Sequence, residues 1–153
     1  MTEGPRGFTI TRVFDAPREL VFKAWTEPAR FAQWFGGAQS SVPLETMAMD
    51  ARPGGAWSLI MLAGPERTEL PFGGFFREIV PPERVVMVLT NPADPNDPNT
   101  EVVTVVLTDL GNGKTRMEFA QRGHLSDEEY VRTKEGWSQF FDSLAEHVAR
   151  ERA

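Results

Sequence analysis

Proton transfer or cation binding needs histidine, carboxylate, lysine, thiolate or an activated hydroxyl in a suitable pattern, and this 153-residue chain offers few such groups. There is no cysteine, which excludes thiolate chemistry and disulfides, and no serine stands in a G-x-S-x-G frame that would build a nucleophile elbow. The two histidines, His124 and His147, lack the spacing of a zinc pair, and neither a His-Glu helical signature nor a run of aspartates at calcium spacing occurs. No metal and no cofactor are therefore expected. Gly54-Gly55 and Gly73-Gly74 lack the frame of a phosphate cradle and read as turns or bulges in a sheet. The polar groups left to orient a ligand are Glu78, Gln121, Arg122, His124, Thr133 and Lys134. For each of them the plainer reading is a solvated or rim-paired side chain. Glu78 follows Phe75 and Phe76, two adjacent phenylalanines that leave its face open; inside an apolar cup its carboxylate would be desolvated and could act as an acid or base.

The elements that must position these groups follow from periodicity and punctuation. Phe8 to Phe14 places Phe8, Ile10 and Phe14 on one side at period two, which predicts a strand. A short helix is expected from about Pro17 to Trp25, capped by Asp15 or Ala16 and burying Val21, Ala24 and Trp25. Thr26-Glu27-Pro28 begins a second helical turn whose aromatic face, Phe31, Trp34 and Phe35, ends at Gly36-Gly37. Turn signals then divide the chain into six strands, approximately Val42 to Asp50, Ala56 to Leu62, Glu69 to Val80, Arg84 to Thr90, Glu101 to Leu110 and Lys114 to Gln121. Their short connections suit antiparallel neighbours. The exception is the Asn91 to Asn99 loop, whose three prolines prevent strand pairing and predict an irregular rim, either a gate or a linker.

The last element is punctuated most clearly. Ser126 and Glu129 form a capping box, Asp127 and Glu128 place negative charge at the positive end of a helix, and Leu125 with Tyr130 can form a hydrophobic staple. Tyr130, Trp137, Phe141, Leu144 and Val148 fall on one stripe, flanked by Phe140 and Thr133. His147 lies roughly 80° from that stripe, at about 100° per residue, which predicts the edge of the exposed side. So long an amphipathic helix needs the concave face of a twisted sheet to lie against.

Composition bounds the partners. With 41% hydrophobic and 25% charged residues the chain is of ordinary globular type, and its length suits one domain spanning 1–153. No apolar run approaches the roughly 20 residues needed to span a bilayer, and the first residues carry no basic-then-apolar signal, so a cytoplasmic protein without membrane contact is expected. A net charge of -6, with both signs mixed along the chain, offers no positive field for nucleic acid.

The order strand, two short helices, six strands and one long helix resembles the α+β helix-grip, or START-like, fold of the SRPBCC superfamily. Phe14-Asp15-Ala16-Pro17, the Val21 to Pro28 segment and Trp34-Phe35 resemble the N-terminal pattern of the family named for activators of the 90-kDa heat-shock-protein ATPase. The Asp50 to Gly55 segment, Gly74 to Ile79, Pro81 to Val85, Gly136-Trp137 and Leu144 continue it. The resemblance implies a seven-stranded curved antiparallel sheet around the C-terminal helix, with relatives that bind lipids, hormones or polyketides and a few that act as cyclases or dehydratases. Eukaryotic co-chaperones of the family carry a preceding domain that supplies most chaperone contacts, for which this chain has no room.

Alternation then turns Met47, Met49, Trp57, Leu59, Met61, Val85, Met87, Leu89, Val103, Val105, Leu107, Met117 and Phe119 inward, with Gln121 on the same face. These residues either fill a core or line a cavity; the resemblance favours the cavity, and the flexible thioethers suit it. The expected ligand-binding residues are Trp57, Leu59, Met61, Met87, Met117, Phe119, Thr133, Trp137, Phe140 and Phe141, enclosing a small apolar or aromatic molecule. Two alternatives stand beside binding. One is a cyclase or dehydratase in which Glu78, Lys134 or His124 moves protons on a polyketide-like or carbonyl compound; the other is a co-chaperone-like interaction module. Ile60 and Leu62, on the outer face, are a possible homodimer surface.

Overall fold

The computed structural model describes residues 6–94 and 96–152. Its elements are β1 (Arg6–Phe14), α1 (Arg18–Thr26), α2 (Pro28–Phe31), β2 (Ser40–Ser41), β3 (Ala48–Met49), β4 (Ala56–Ala63), β5 (Thr68–Val80), β6 (Arg84–Thr90), β7 (Glu101–Gly111), β8 (Lys114–Gly123) and α3 (Asp127–Arg152). Every strand pairing is antiparallel, in the order β1-β8-β7-β6-β5-β4-β2, with β3 also pairing with β4. The sheet carries α3 against the face that holds Phe119 and Trp57, the helix-grip arrangement expected of the sequence.

Among the described residues the sheet has eight strands rather than seven: β2 precedes the segment expected as one strand from Val42 to Asp50, of which only Ala48–Met49 pairs. Pro43 has no amide hydrogen to give a ladder. A 3₁₀ turn over Leu44–Thr46 follows it, leaving only the two-residue pairings of β2 and β3. Thr46 stands in for the missing ladder: its hydroxyl donates to the Pro43 carbonyl at 2.7 Å and accepts the Ile60 amide at 3.2 Å. The cap of α1 is Pro17, not Asp15 or Ala16.

Aromatic packing between layers sets where α3 sits. Trp25 is fully buried and lies within 6.2 Å, centroid to centroid, of Trp34, Phe119, Trp137 and Phe141. The Trp34 indole N–H donates to the Ala24 carbonyl at 2.9 Å, which fastens the turn after α2 to α1. Gly36 and Gly37 both take positive φ, 95° and 73°, and let the chain leave that turn toward β2. The helix start follows the sequence reading in detail: Ser126 Oγ accepts the Glu129 amide and Glu129 Oε1 accepts the Ser126 amide, each at 3.1 Å. Those bonds hold the Glu129 carboxyl below its usual range.

His147 contradicts its expectation. It is 1% exposed, because α1 as well as the sheet packs on α3 and widens the buried arc of the helix. Neither ring nitrogen has a hydrogen-bond partner, and burial lowers its pKa, partly opposed by Glu151.

Candidate functional site

Thr133, Gly136, Trp137 and Phe140 recur along one side of α3 at helical spacing. Together with Phe35, Phe72 of β5, Leu89 of β6 and Gln121 of β8 they line a cleft of about 250 Å³. Half of its lining residues are aromatic. Phe35 meets Phe72 edge-on at 5.5 Å, Trp137 at 5.8 Å and Phe140 at 5.1 Å, so the rings brace one another around the opening. Gly136 is the gap in the helix face. A Cβ built there would meet nothing within 4 Å, although glycine inside a helix costs roughly 1 kcal/mol relative to alanine.

The polar end of the cleft is a buried network that ties β7, β8 and α3 together. Gln121, 3% exposed, accepts the Trp137 indole N–H on Oε1 and donates from Nε2 to Glu101 Oε1, both at 2.9 Å. Because indole can only donate, this pairing fixes which way the amide faces. Glu101, 8% exposed, also accepts the Tyr130 hydroxyl on Oε1 at 2.7 Å and the His124 amide on Oε2 at 2.9 Å. His124 Nδ1 lies 3.0 Å from the same Oε2. Burial, and then the bond to Glu101, push the Tyr130 hydroxyl up to about 12, so it remains a donor at neutral pH. The Thr133 hydroxyl donates to the Glu129 carbonyl at 2.8 Å, which leaves its lone pairs for the cleft.

A second depression, of about 330 Å³, shares Phe72 and Leu89 with the cleft and continues to Asn91, Asp97, Asn99, Glu101 and His124. The Asn91 to Asn99 loop is held here by side chains bonding their own backbone. Asn91 Oδ1 accepts the Ala93 amide, Asp94 Oδ1 the Asn96 amide and Asp97 Oδ1 the Asn99 amide, at 2.9–3.1 Å. Pro95, one of its three prolines, lies outside the described residues. The larger depressions of about 520 and 650 Å³ lie on the outer side of α3 among Lys134, Glu135, Gln139, Asp142 and Glu146. Solvated charges on an open surface give a ligand no enclosed apolar contact, and size alone does not make these the site.

The structure separates the residues expected from sequence. Thr133, Trp137 and Phe140 line the cleft. Trp57, Leu59, Met61, Met87, Met117, Phe119 and Phe141 are buried in the hydrophobic core. Lys134 is exposed on the outer side of α3. Glu78 is also turned away. A register shift between Phe76 and Glu78 sets Glu78 opposite Val86 rather than in line with the inward Phe76 and Met87, and it pairs with Arg84 at 3.2 Å. Three further residues emerge. Glu101 shares the period-two face of Val103, Val105 and Leu107, so alternation carried one residue further would have turned it inward. Phe72 shares the face of Phe76, hidden in sequence by the Phe75-Phe76 pair. Gly136 was legible only as part of the Gly136-Trp137 pair in the family pattern, and nothing in that pattern marked it as a gap in a cleft.

A long helix gripped by a curved antiparallel sheet defines the START-like class. A family model described as activator of Hsp90 ATPase homolog 1-like protein matches residues 15–149, and the chain belongs to that family. No curated protein matches it. Among solved structures, a Chromobacterium violaceum protein is 28% identical and superposes with a TM-score of 0.81, over 93% of this chain and 96% of its own. The AHSA1 protein of Silicibacter pomeroyi, at 23% identity, reaches 0.82 over 95% and 99% of the two chains. CalU16 of Micromonospora echinospora, also 23% identical, reaches 0.66 over 96% and 78%. At 23% identity the last two likenesses concern the fold alone.

Proposed function

We propose that this protein binds a small apolar or aromatic molecule in the cleft beside Gly136, with the Gln121 amide and the Thr133 hydroxyl orienting its polar edge. The observation that carries the reading is the unfilled space at Gly136. A helix interior that accepts glycine where alanine would fit forgoes stability, and the space so left is walled by Phe35, Phe72, Trp137 and Phe140. A few hundred cubic ångströms, mostly apolar and closed at one end by fixed hydrogen-bonding groups, is the form of a small-molecule site. The helix-grip architecture of the family supports it. Binding of this kind needs no titratable group, only volume and shape.

Titration of intrinsic tryptophan fluorescence with 2-naphthol tests the reading, because Trp137 forms one wall. Saturable quenching that disappears in Gly136→Leu is the expected result. Quenching unchanged by that substitution would place the ligand elsewhere.

A further inference from the structure

His124 lies between β8 and the cap of α3, with its side chain partly exposed and its ring paired with Glu101. Its Nδ1 faces two oxygens, Glu101 Oε2 at 3.0 Å and the Thr100 carbonyl at 3.3 Å. A carbonyl can only accept, so Nδ1 carries the hydrogen that points to these oxygens, and Nε2 lies on the opposite side of the ring. Glu101 is in turn fixed by Gln121, Tyr130 and the His124 amide. The carboxylate packs directly over Gly123, where a Cβ would overlap it as it now lies. The ring borders the depression that shares Phe72 and Leu89 with the aromatic cleft.

We propose that His124 is a catalytic general base and Glu101 its positioning residue. The substrate class is flat aromatic compounds carrying a carbon-bound hydrogen made acidic by an adjacent carbonyl. Nε2 takes the proton from carbon, the C–H electron pair moves into the neighbouring carbonyl to give an enolate, and the imidazolium returns the proton to the enolate oxygen. The net change is an isomerisation and needs no oxidant or co-reactant. The assignment rests on the binding reading, in that the aromatic cleft seats the body of the substrate. Of the three side chains considered from sequence for proton transfer, it selects His124: Glu78 is paired on the outer face and Lys134 is on the outer side of α3.

The test uses 5-nitrobenzisoxazole, an aromatic probe that needs only a base. Removal of its ring C–H proton forms the nitrile as the N–O bond breaks, releasing a coloured phenolate. The intact protein is expected to turn it over about 100-fold or more faster than His124→Ala, within the usual contribution of a positioned base. Glu101→Gln is expected to lower kcat with KM unchanged, since Glu101 acts through His124; a merely structural loss would move both. Binding is read separately by tryptophan quenching, and circular dichroism confirms that each variant folds. Probe that binds but turns over equally in the parent and His124→Ala overturns the catalytic assignment and leaves the binding reading intact. A probe that neither binds nor turns over overturns both.

Discussion

Replacing Gly136 by alanine removes the conformational freedom that glycine has in the unfolded chain and adds a methyl where nothing lies within 4 Å. The position is interior to α3, so the full helix-propensity difference applies, about 1 kcal/mol. For a chain of this size that corresponds to a rise in Tm of about 2–4 °C. Leucine has nearly the propensity of alanine, so Gly136→Leu keeps the gain while its side chain projects into a cleft of about 250 Å³. The pair of variants therefore separates stability from binding. Thermal unfolding followed by circular dichroism is expected to show both variants at or above the parent Tm. Fluorescence titration with 2-naphthol is expected to show at least a tenfold loss of affinity in the leucine variant, equivalent to about 1.4 kcal/mol. A lower Tm for Gly136→Ala would refute the premise that the space beside the helix is open. Undiminished affinity in Gly136→Leu would refute the assignment of that space as the site.

Other consequences are separable. Ser126→Ala removes the oxygen that accepts the Glu129 amide and is expected to cost about 1 kcal/mol, read as a Tm about 2–4 °C lower. Phe141→Ala opens a fully buried site bounded by Trp25, Trp34, Phe119 and Trp137, and urea unfolding should show a loss of about 3–5 kcal/mol. His147 has a folded pKa below its unfolded value near 6.5, so the unfolded chain binds the extra proton between the two. Its contribution is complete above about pH 6.5 and is lost as pH falls through that window, and His147→Leu should flatten the slope of stability against pH there; equal slopes would contradict the burial argument. The Glu129 carboxyl is held low by its bonds to Ser126, so the capping box weakens only at more acidic pH, as the carboxylate protonates.

The parts of the fold that local chemistry dictates were legible in the sequence. The Ser126 and Glu129 cap depends on four consecutive residues, and the Tyr130 to Val148 stripe on one helix's own period. His147 was misplaced because a stripe counted against a sheet alone leaves out α1, which covers a second arc of α3. The Val42 to Asp50 strand failed at Pro43, where a missing donor outweighs β-propensity. At the site, Thr133, Trp137 and Phe140 could be read from helical period, whereas Glu101 was hidden as the first residue of its strand. Its importance comes from partners contributed by β8, the segment before α3, and α3 itself. No local pattern in one strand reports such a convergence.

The most direct test of the central claim is amide and indole chemical-shift mapping of the protein titrated with 2-naphthol. The Trp137 indole N–H donates to Gln121 inside the cleft wall, so its resonance is expected to move together with the Gly136 and Thr133 amides and to saturate with one affinity. Shifts absent from these three groups, or gathered instead around Thr9, Thr11, Thr104 and Glu118 on the far face of the sheet, would contradict it.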